Sequence, residues 1–327
     1  MSEEKPARKL PMAGWWPFGA GVLAGIVLRT AIFAKASGPF ATMAMGFVYF
    51  APAVVAAVTV YAAERREPRS WSYYAWAGGL ANVLFVLGSL VILIEGVICA
   101  LLIIPLFAFI GALAGLLMGA VCRVGRWTRQ ALYSVSLLPL AVAAIDPQLP
   151  AEPEPLWIER TQVIRASPHD IWNQLENARD IQPGEVGRAW MYRIGSPLPT
   201  EGVTERQGGT IVRHVRMGRG VRFDQVAVDW QPGKLVRWKY RFSEDSFPPG
   251  SLDDHVRIGG EYFDLQETTY TLSPAGDGAT ALSIRMQYRV NTQFNWYAKP
   301  IANFLIGNFC DVILDFYARR AEQARSG

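Results

Sequence analysis

The sequence predicts two unlike parts. Residues 1–145 read as an all-α transmembrane bundle. Residues 156–324 read as an α+β domain, in which a curved antiparallel sheet wraps a long C-terminal helix. Three observations predict this. The first part is a succession of apolar runs near bilayer length. Two segments of the second part alternate strictly between apolar and polar residues. The chain then closes on apolar residues at helical spacing.

Composition agrees with the division. The 327 residues are 51% hydrophobic and 18% charged, which is apolar for a water-soluble chain. The first 150 residues hold 11 Lys and Arg against 6 Asp and Glu, and the rest hold 21 against 22. The basic excess therefore flanks the apolar runs. That is a membrane topology signal and excludes a nucleic-acid groove. Cys99, Cys122 and Cys310 make no disulfide framework, and His169, His214 and His255 are too scattered for a metal motif. No metal and no cofactor is expected.

Trp15 to Phe33 is the first span. Lys5, Arg8 and Lys9 before it also fit a cleaved signal peptide, but the run is long for one and Arg29 interrupts it. Arg29 falls near the far end, where its stem can snorkel to the interface; a functional charge is the other reading. Pro39 to Ala63 is the second span, followed by a loop carrying Arg65, Arg66 and Arg69. Ala75 to Val121 is too long for one crossing, and Glu95–Gly96 divides it into a helical hairpin. Its second arm spaces Gly111, Gly115 and Gly119 four apart, so helix backbones can approach closely there. The stripe serves either the bundle itself or a homo-oligomer.

The amino terminus, the second loop and the Arg123–Arg126–Arg129 segment are basic, while the other loops hold Lys35 and Glu95. The amino terminus is therefore expected on the cytoplasmic side of a bacterial-type cell membrane. Ala131 to Ile145 is apolar on all faces but short, and it contains Pro139. As a fifth span it makes the C-terminal domain extracytoplasmic. As a re-entrant segment it leaves that domain in the cytoplasm. Residues 146–155, "DPQLPAEPEP", are a Pro-rich, extended linker.

The second part opens on a strand, Leu156 to Ala166. Ser167 then caps a helix with Pro168 at its first position and Asp170 in its first turn. Ile171, Trp172 and Leu175 give that helix a buried face. "GSPLPTEG" reads as loop. Strands follow at Thr210–Arg216, Val221–Trp230, Leu235–Phe242, Tyr262–Leu272 and Thr280–Val290, between turn signals. Val236, Trp238, Tyr240 and Phe242 share one face, and so do Leu282, Ile284, Met286, Tyr288 and Val290. The closing helix, Trp296 to Ala324, offers Ile301, Phe304, Leu305, Ile313, Leu314 and Phe316 or Tyr317 to meet them. A sheet bent around that helix buries both apolar faces.

"VIRASPHDIWNQL", "LVRWKYRF", "ALSIRMQYRV" and the final helix together resemble the SRPBCC superfamily, which includes START-like and polyketide cyclase/dehydrase-like domains. The resemblance covers Leu156 to Ala324 and implies a helix-grip fold with an apolar cavity between sheet and helix. It implies that Trp238, Tyr240, Phe242, Met286, Tyr288, Trp296 and Phe304 line that cavity; pattern alone makes the inner residues plain core.

The expected function is membrane-tethered binding of a hydrophobic small molecule or lipid, with membrane lipids as the other partner. A cyclase- or dehydratase-like enzyme and a structural membrane protein are the alternatives. No nucleophile, phosphate-cradle or metallohydrolase motif is present, so no catalytic residue is assigned. His214 and His255 are the candidate general bases if they face inward. Asp224 and Asp229, five apart in one strand, are expected on opposite faces.

Overall fold

The computed structural model describes residues 14–34, 41–125, 128–145, 155–252 and 257–326. The basic amino terminus, Lys35, Arg126, residues 146–154 of the Pro-rich linker and His255 lie outside the described residues. The chain forms two compact units, Met1–Pro150 and Ala151–Gly327.

The first unit is all helix. α1 (Trp16–Val27) continues into a π-helical turn, Leu28–Ile32. α2 (Met45–Glu64), α3 (Trp71–Val91), α4 (Val97–Val124) and α5 (Thr128–Ala143) follow. α2, α3 and α4 are each long and apolar enough to cross a membrane, while Trp16–Ile32 is apolar but shorter. α3 is about 31 Å long at 1.5 Å per residue, close to the thickness of a hydrocarbon core.

Polar clusters mark the two ends of this unit. At one end, Arg29 Nε reaches Glu95 Oε1 at 2.6 Å and Nη1 donates to the Phe33 carbonyl at 2.8 Å. Arg29 thus pins the first helix to the α3–α4 turn. At the other end, the Tyr74 hydroxyl donates to Glu64. Arg123 donates to that hydroxyl at 3.3 Å and to the Arg69 carbonyl at 2.9 Å.

Gly111, Gly115 and Gly119 are buried within the unit. A Cβ on Gly111 would meet Asn82 Nδ2 at 2.2 Å, and one on Gly115 would meet the Tyr74 carbonyl at 2.3 Å. The glycine stripe is therefore filled by α3 of the same chain. α5 runs antiparallel along α2. Its Leu132 and Val135 pack on the cluster of Ala57 and Val60 near the end of α2. At its other end, a Cβ on Gly46, near the start of α2, would meet the Pro139 carbonyl at 2.5 Å and Ala143 N at 3.2 Å.

The second unit is an eight-stranded antiparallel sheet that curls around one long helix. Its strands are β1 (Pro155–Ile164), β2 (Asn177–Ala178), β3 (Pro199–Gln207), β4 (Thr210–Met217), β5 (Arg222–Gln231), β6 (Leu235–Arg241), β7 (Phe263–Pro274) and β8 (Thr280–Val290). Their order is β1-β8-β7-β6-β5-β4-β3-β2. This is a meander from β2 to β8, with β1 returning beside β8. α6 (Pro168–Glu176) and the short helices α7 (Pro183–Val186) and α8 (Trp190–Arg193) precede β3. α9 (Asn295–Ser326) closes the fold. α9 is itself apolar and long enough to cross a membrane, yet its buried side chains join the core of this unit. The unit is a helix-grip fold.

Sequence and structure agree at α6. Ser167 Oγ accepts from Asp170 N at 3.2 Å, and Ile171, Trp172 and Leu175 are buried. They differ in three places. The stretch beginning "PTEG" is not loop but the start of β3, whose ladder hydrogen bonds come from β4 rather than from any apolar pattern of its own. In α9 the buried stripe is Ile306, Cys310, Ile313, Leu314, Tyr317 and Ala321, with Phe316 beside it. Phe304 is exposed, because the stripe's four-residue step from Cys310 back to Ile306 turns position 304 away. Finally, a bulge between Ala227 and Asp229 shifts the β5 register. Asp224 pairs with Arg241 and Asp229 with Arg237, so both acids share one face instead of opposing each other.

Candidate functional site

The concave face of the sheet is built from rows of paired residues. One row runs Ile158, Met286, Thr268, Trp238, Ala227 across five strands. The next runs Ile284, Tyr270, Val236, Trp230. These rows are mostly aromatic and aliphatic. Trp172, Trp230 and Trp238 form a chain of edge-on contacts, with centroids 4.9 Å and 5.7 Å apart. Cys310 of α9 lies 3.4 Å from the Met286 sulfur.

A third row is polar. Tyr240, Gln225, Arg213 and Thr204 are successive partners on β6, β5, β4 and β3. Arg213 is only 6% exposed and Gln225 only 8%. Arg213 Nη2 donates to the Tyr317 hydroxyl of α9 at 3.1 Å, so the guanidinium stands between sheet and helix. The Tyr240 hydroxyl shares a hydrogen bond of 2.6 Å with Thr268 Oγ1. The Tyr270 and Tyr317 rings meet edge-on at 5.8 Å. Among the described residues, three buried donors on this face have no acceptor: Arg213 Nε, Trp230 Nε1 and Trp238 Nε1.

Burial governs the titration of this face. It raises the hydroxyl pKa of Tyr192, Tyr240, Tyr270 and Tyr288, that of Tyr240 to about 12, and pushes the Cys310 thiol up to about 12. All of them stay neutral at physiological pH. Desolvation works to lower the Arg213 pKa, and the surrounding tyrosine oxygens outweigh it, so the guanidinium keeps its proton.

The residues expected to line a cavity fall into three groups. Trp238, Met286 and Tyr288 face inward and are buried together in the core. Tyr240 and Phe242 are half-buried and stack on each other with centroids 6.1 Å apart. Trp296 and Phe304, on the first turns of α9, are 61% and 57% exposed and stand apart from the others. Sequence reasoning missed Arg213, Gln225 and Thr268. A signal for the first was present: Ile211, Arg213 and Val215 share one face of β4, and an Arg between two aliphatic residues marks an inward charge.

His214 and Asp224 occupy the opposite, outer face. There, His214 Nδ1 lies 2.7 Å from Asp224 Oδ1, and Arg241 donates to Asp224 Oδ2 at 2.7 Å. His214 Nε2 is 3.1 Å from Gln207 Nε2. These residues border a depression of about 400 Å³ that also includes Phe223, Phe242 and Ser246. Both nitrogens of His214 have polar partners, so it reads as part of a hydrogen-bonded network around the Arg241–Asp224 ion pair. Burial works to raise the Asp224 pKa, but the hydrogen bonds from Arg241 and His214 outweigh it and hold the carboxyl below its ordinary range. The stability this confers is present above the unfolded-state pKa, about 3.9, and is lost as pH falls through the lower folded value. Asp224→Asn is expected to lower the unfolding free energy at neutral pH by less than about 1 kcal/mol, since all three groups are partly solvated. Its difference from the parent chain should shrink below pH of about 4. Urea titrations at the two pH values check this; a difference that does not change with pH would refute it.

No protein-family model and no curated protein matches the chain. Solved structures of similar fold include a norcoclaurine synthase of Thalictrum flavum, 12% identical, covering 54% of this chain and 99% of its own with a TM-score of 0.34. The Zhui aromatase/cyclase of a Streptomyces species is 11% identical, with coverage of 53% and 96% and a TM-score of 0.34. A START superfamily protein of Mycobacterium smegmatis is 14% identical, with coverage of 51% and 98% and a TM-score of 0.34. At identities this low the likeness concerns the chain path alone. The helix-grip assignment rests on the strand order and on the helix that the sheet wraps.

Proposed function

We propose that the protein binds a hydrophobic small molecule or lipid between the curled sheet and α9, and that the helical unit tethers this domain to a membrane. One observation carries the reading. An aromatic concave face holds a single polar row and three orphan donors, and apolar walls with a few placed polar groups are the make-up of a small-molecule site. A core meant only for packing has no use for unpaired N–H groups, each of which costs about 1–3 kcal/mol.

The tether is supported by helices of bilayer length, of which α4 exposes Phe109, Leu113 and Leu117 on its outward face. The antiparallel run of α5 along α2 supports a fifth crossing. With the amino terminus inside, as the loop charges suggest, a fifth crossing would put the binding domain outside the cytoplasm. An apolar ligand partitions into the bilayer, so a membrane tether gives the domain access to its supply. A cyclase-type reaction would use an inward histidine or carboxylate, whereas His214 and Asp224 stand on the outer face.

The test is mass spectrometry of small molecules that stay with the full chain through extensive detergent washing. About one molecule of a recurring apolar species per chain is expected. Recovery of bulk lipids alone, in the proportions of the source membrane, would sink the proposal.

A further inference from the structure

Arg213 carries a full positive charge that, among the described residues, only neutral hydroxyls answer. Among the described residues no carboxylate lies within ion-pair distance of it; its one side-chain hydrogen bond goes to the neutral Tyr317 hydroxyl, and its Nε has no partner. Taking an unpaired ion out of water is among the costliest things a fold can do. The backbone nonetheless makes room for it. A Cβ on Gly202 of β3 would meet Arg213 Nε at 2.6 Å and Nη2 at 2.7 Å, so any other residue there would displace the guanidinium. Trp230 Nε1 and Trp238 Nε1 add two more donors without acceptors on the same concave face. Among the described residues this part of the concave face thus has three unpaired donors, one of them on a guanidinium that no carboxylate pairs.

We infer that the ligand of this site is an apolar molecule bearing a single carboxylate, which Arg213 receives. The inference rests on the binding function proposed above and adds the chemistry of the ligand's polar end. A planar guanidinium presents a fork that matches a carboxylate. One Arg balances one negative charge, which fits a monoanion better than a phosphate. The aromatic rows that include Trp230, Trp238 and Met286 take the apolar remainder.

The experiment compares a fluorescent aryl carboxylic acid with its primary amide. Each is titrated against the full chain in nanodiscs of zwitterionic lipid, with empty nanodiscs as the baseline. The acid is expected to bind about ten- to a hundredfold more tightly than the amide, the range of a charge-assisted hydrogen-bond pair. Arg213→Met is expected to abolish that preference while still binding the amide. It should not lower the thermal midpoint of the ligand-free protein, because a methionine removes a buried unpaired charge. A purely structural Arg213 would instead give a less stable variant with an unchanged acid-to-amide ratio. Equal binding of acid and amide by the parent chain overturns the carboxylate assignment and leaves the binding function standing. Binding of neither overturns both. The parent ratio decides the matter even if the variant fails to fold.

Discussion

Gly115→Val is expected to force α3 and α4 apart and to destabilise the helical unit by about 2–4 kcal/mol, at the high end for overpacked positions. The atoms it would strike are backbone: the Tyr74 carbonyl at 2.3 Å and the Gly78 Cα at 3.3 Å. Neither can rotate away. The contact is also reciprocal, since a Cβ on Gly78 would meet the Gly111 carbonyl at 2.2 Å. Moving one helix therefore strains the packing at the next turn too. Gly88→Ala is the control. Its Cβ would meet only Ile26 and Val22 side-chain carbons at 3.9 Å, an ordinary contact, and alanine is the better helix former. Thermal unfolding of both variants in the same detergent should separate them clearly. If Gly115→Val melted with Gly88→Ala, the close helix contact would be wrong.

Trp238→Ala carries the largest expected effect in the sheet unit, about 3–5 kcal/mol. The side chain is 1% exposed and lies between Trp230 and the buried face of β7 and β8. That loss would take a large part of a typical domain's margin of about 5–15 kcal/mol. Trp238→Phe is expected to cost much less. It keeps a ring in place and removes an indole N–H that has no acceptor among the described residues. Pulse proteolysis of the full chain in urea reads the two midpoints. Similar losses for Ala and Phe would mean that the indole nitrogen has a partner after all, and would weaken the case for orphan donors on this face.

Much of this architecture was legible because it is written in periodicity. The strict alternation of Leu282 to Val290 placed Ile284, Met286 and Tyr288 inward, and all three are buried. The Ser167 cap fixed the start of α6 for the same kind of local reason. What stayed hidden depends on partners distant in sequence. β3 has no apolar rhythm and exists because β4 offers it a ladder. The bulge near Val228 cannot be read from alternation, yet it decides which face Asp229 takes. The glycine stripe announced a close helix contact but not its partner, which is Tyr74 and Gly78 of the neighbouring helix. The polar row is the plainest case. Arg213, Gln225 and Tyr240 lie far enough apart in the chain that only strand pairing brings them side by side.

The helix gripped by the sheet has a consequence for how the chain is made. Asn295–Ala324 meets the same length and apolarity that qualify a segment to enter the bilayer. Every strand that will enclose it is synthesised earlier, so a receiving groove can be waiting when this last helix emerges. Two solvents then compete for one segment during biogenesis, lipid and the protein's own interior. A lesion that delays closure of the sheet would therefore be read out first as misrouted topology.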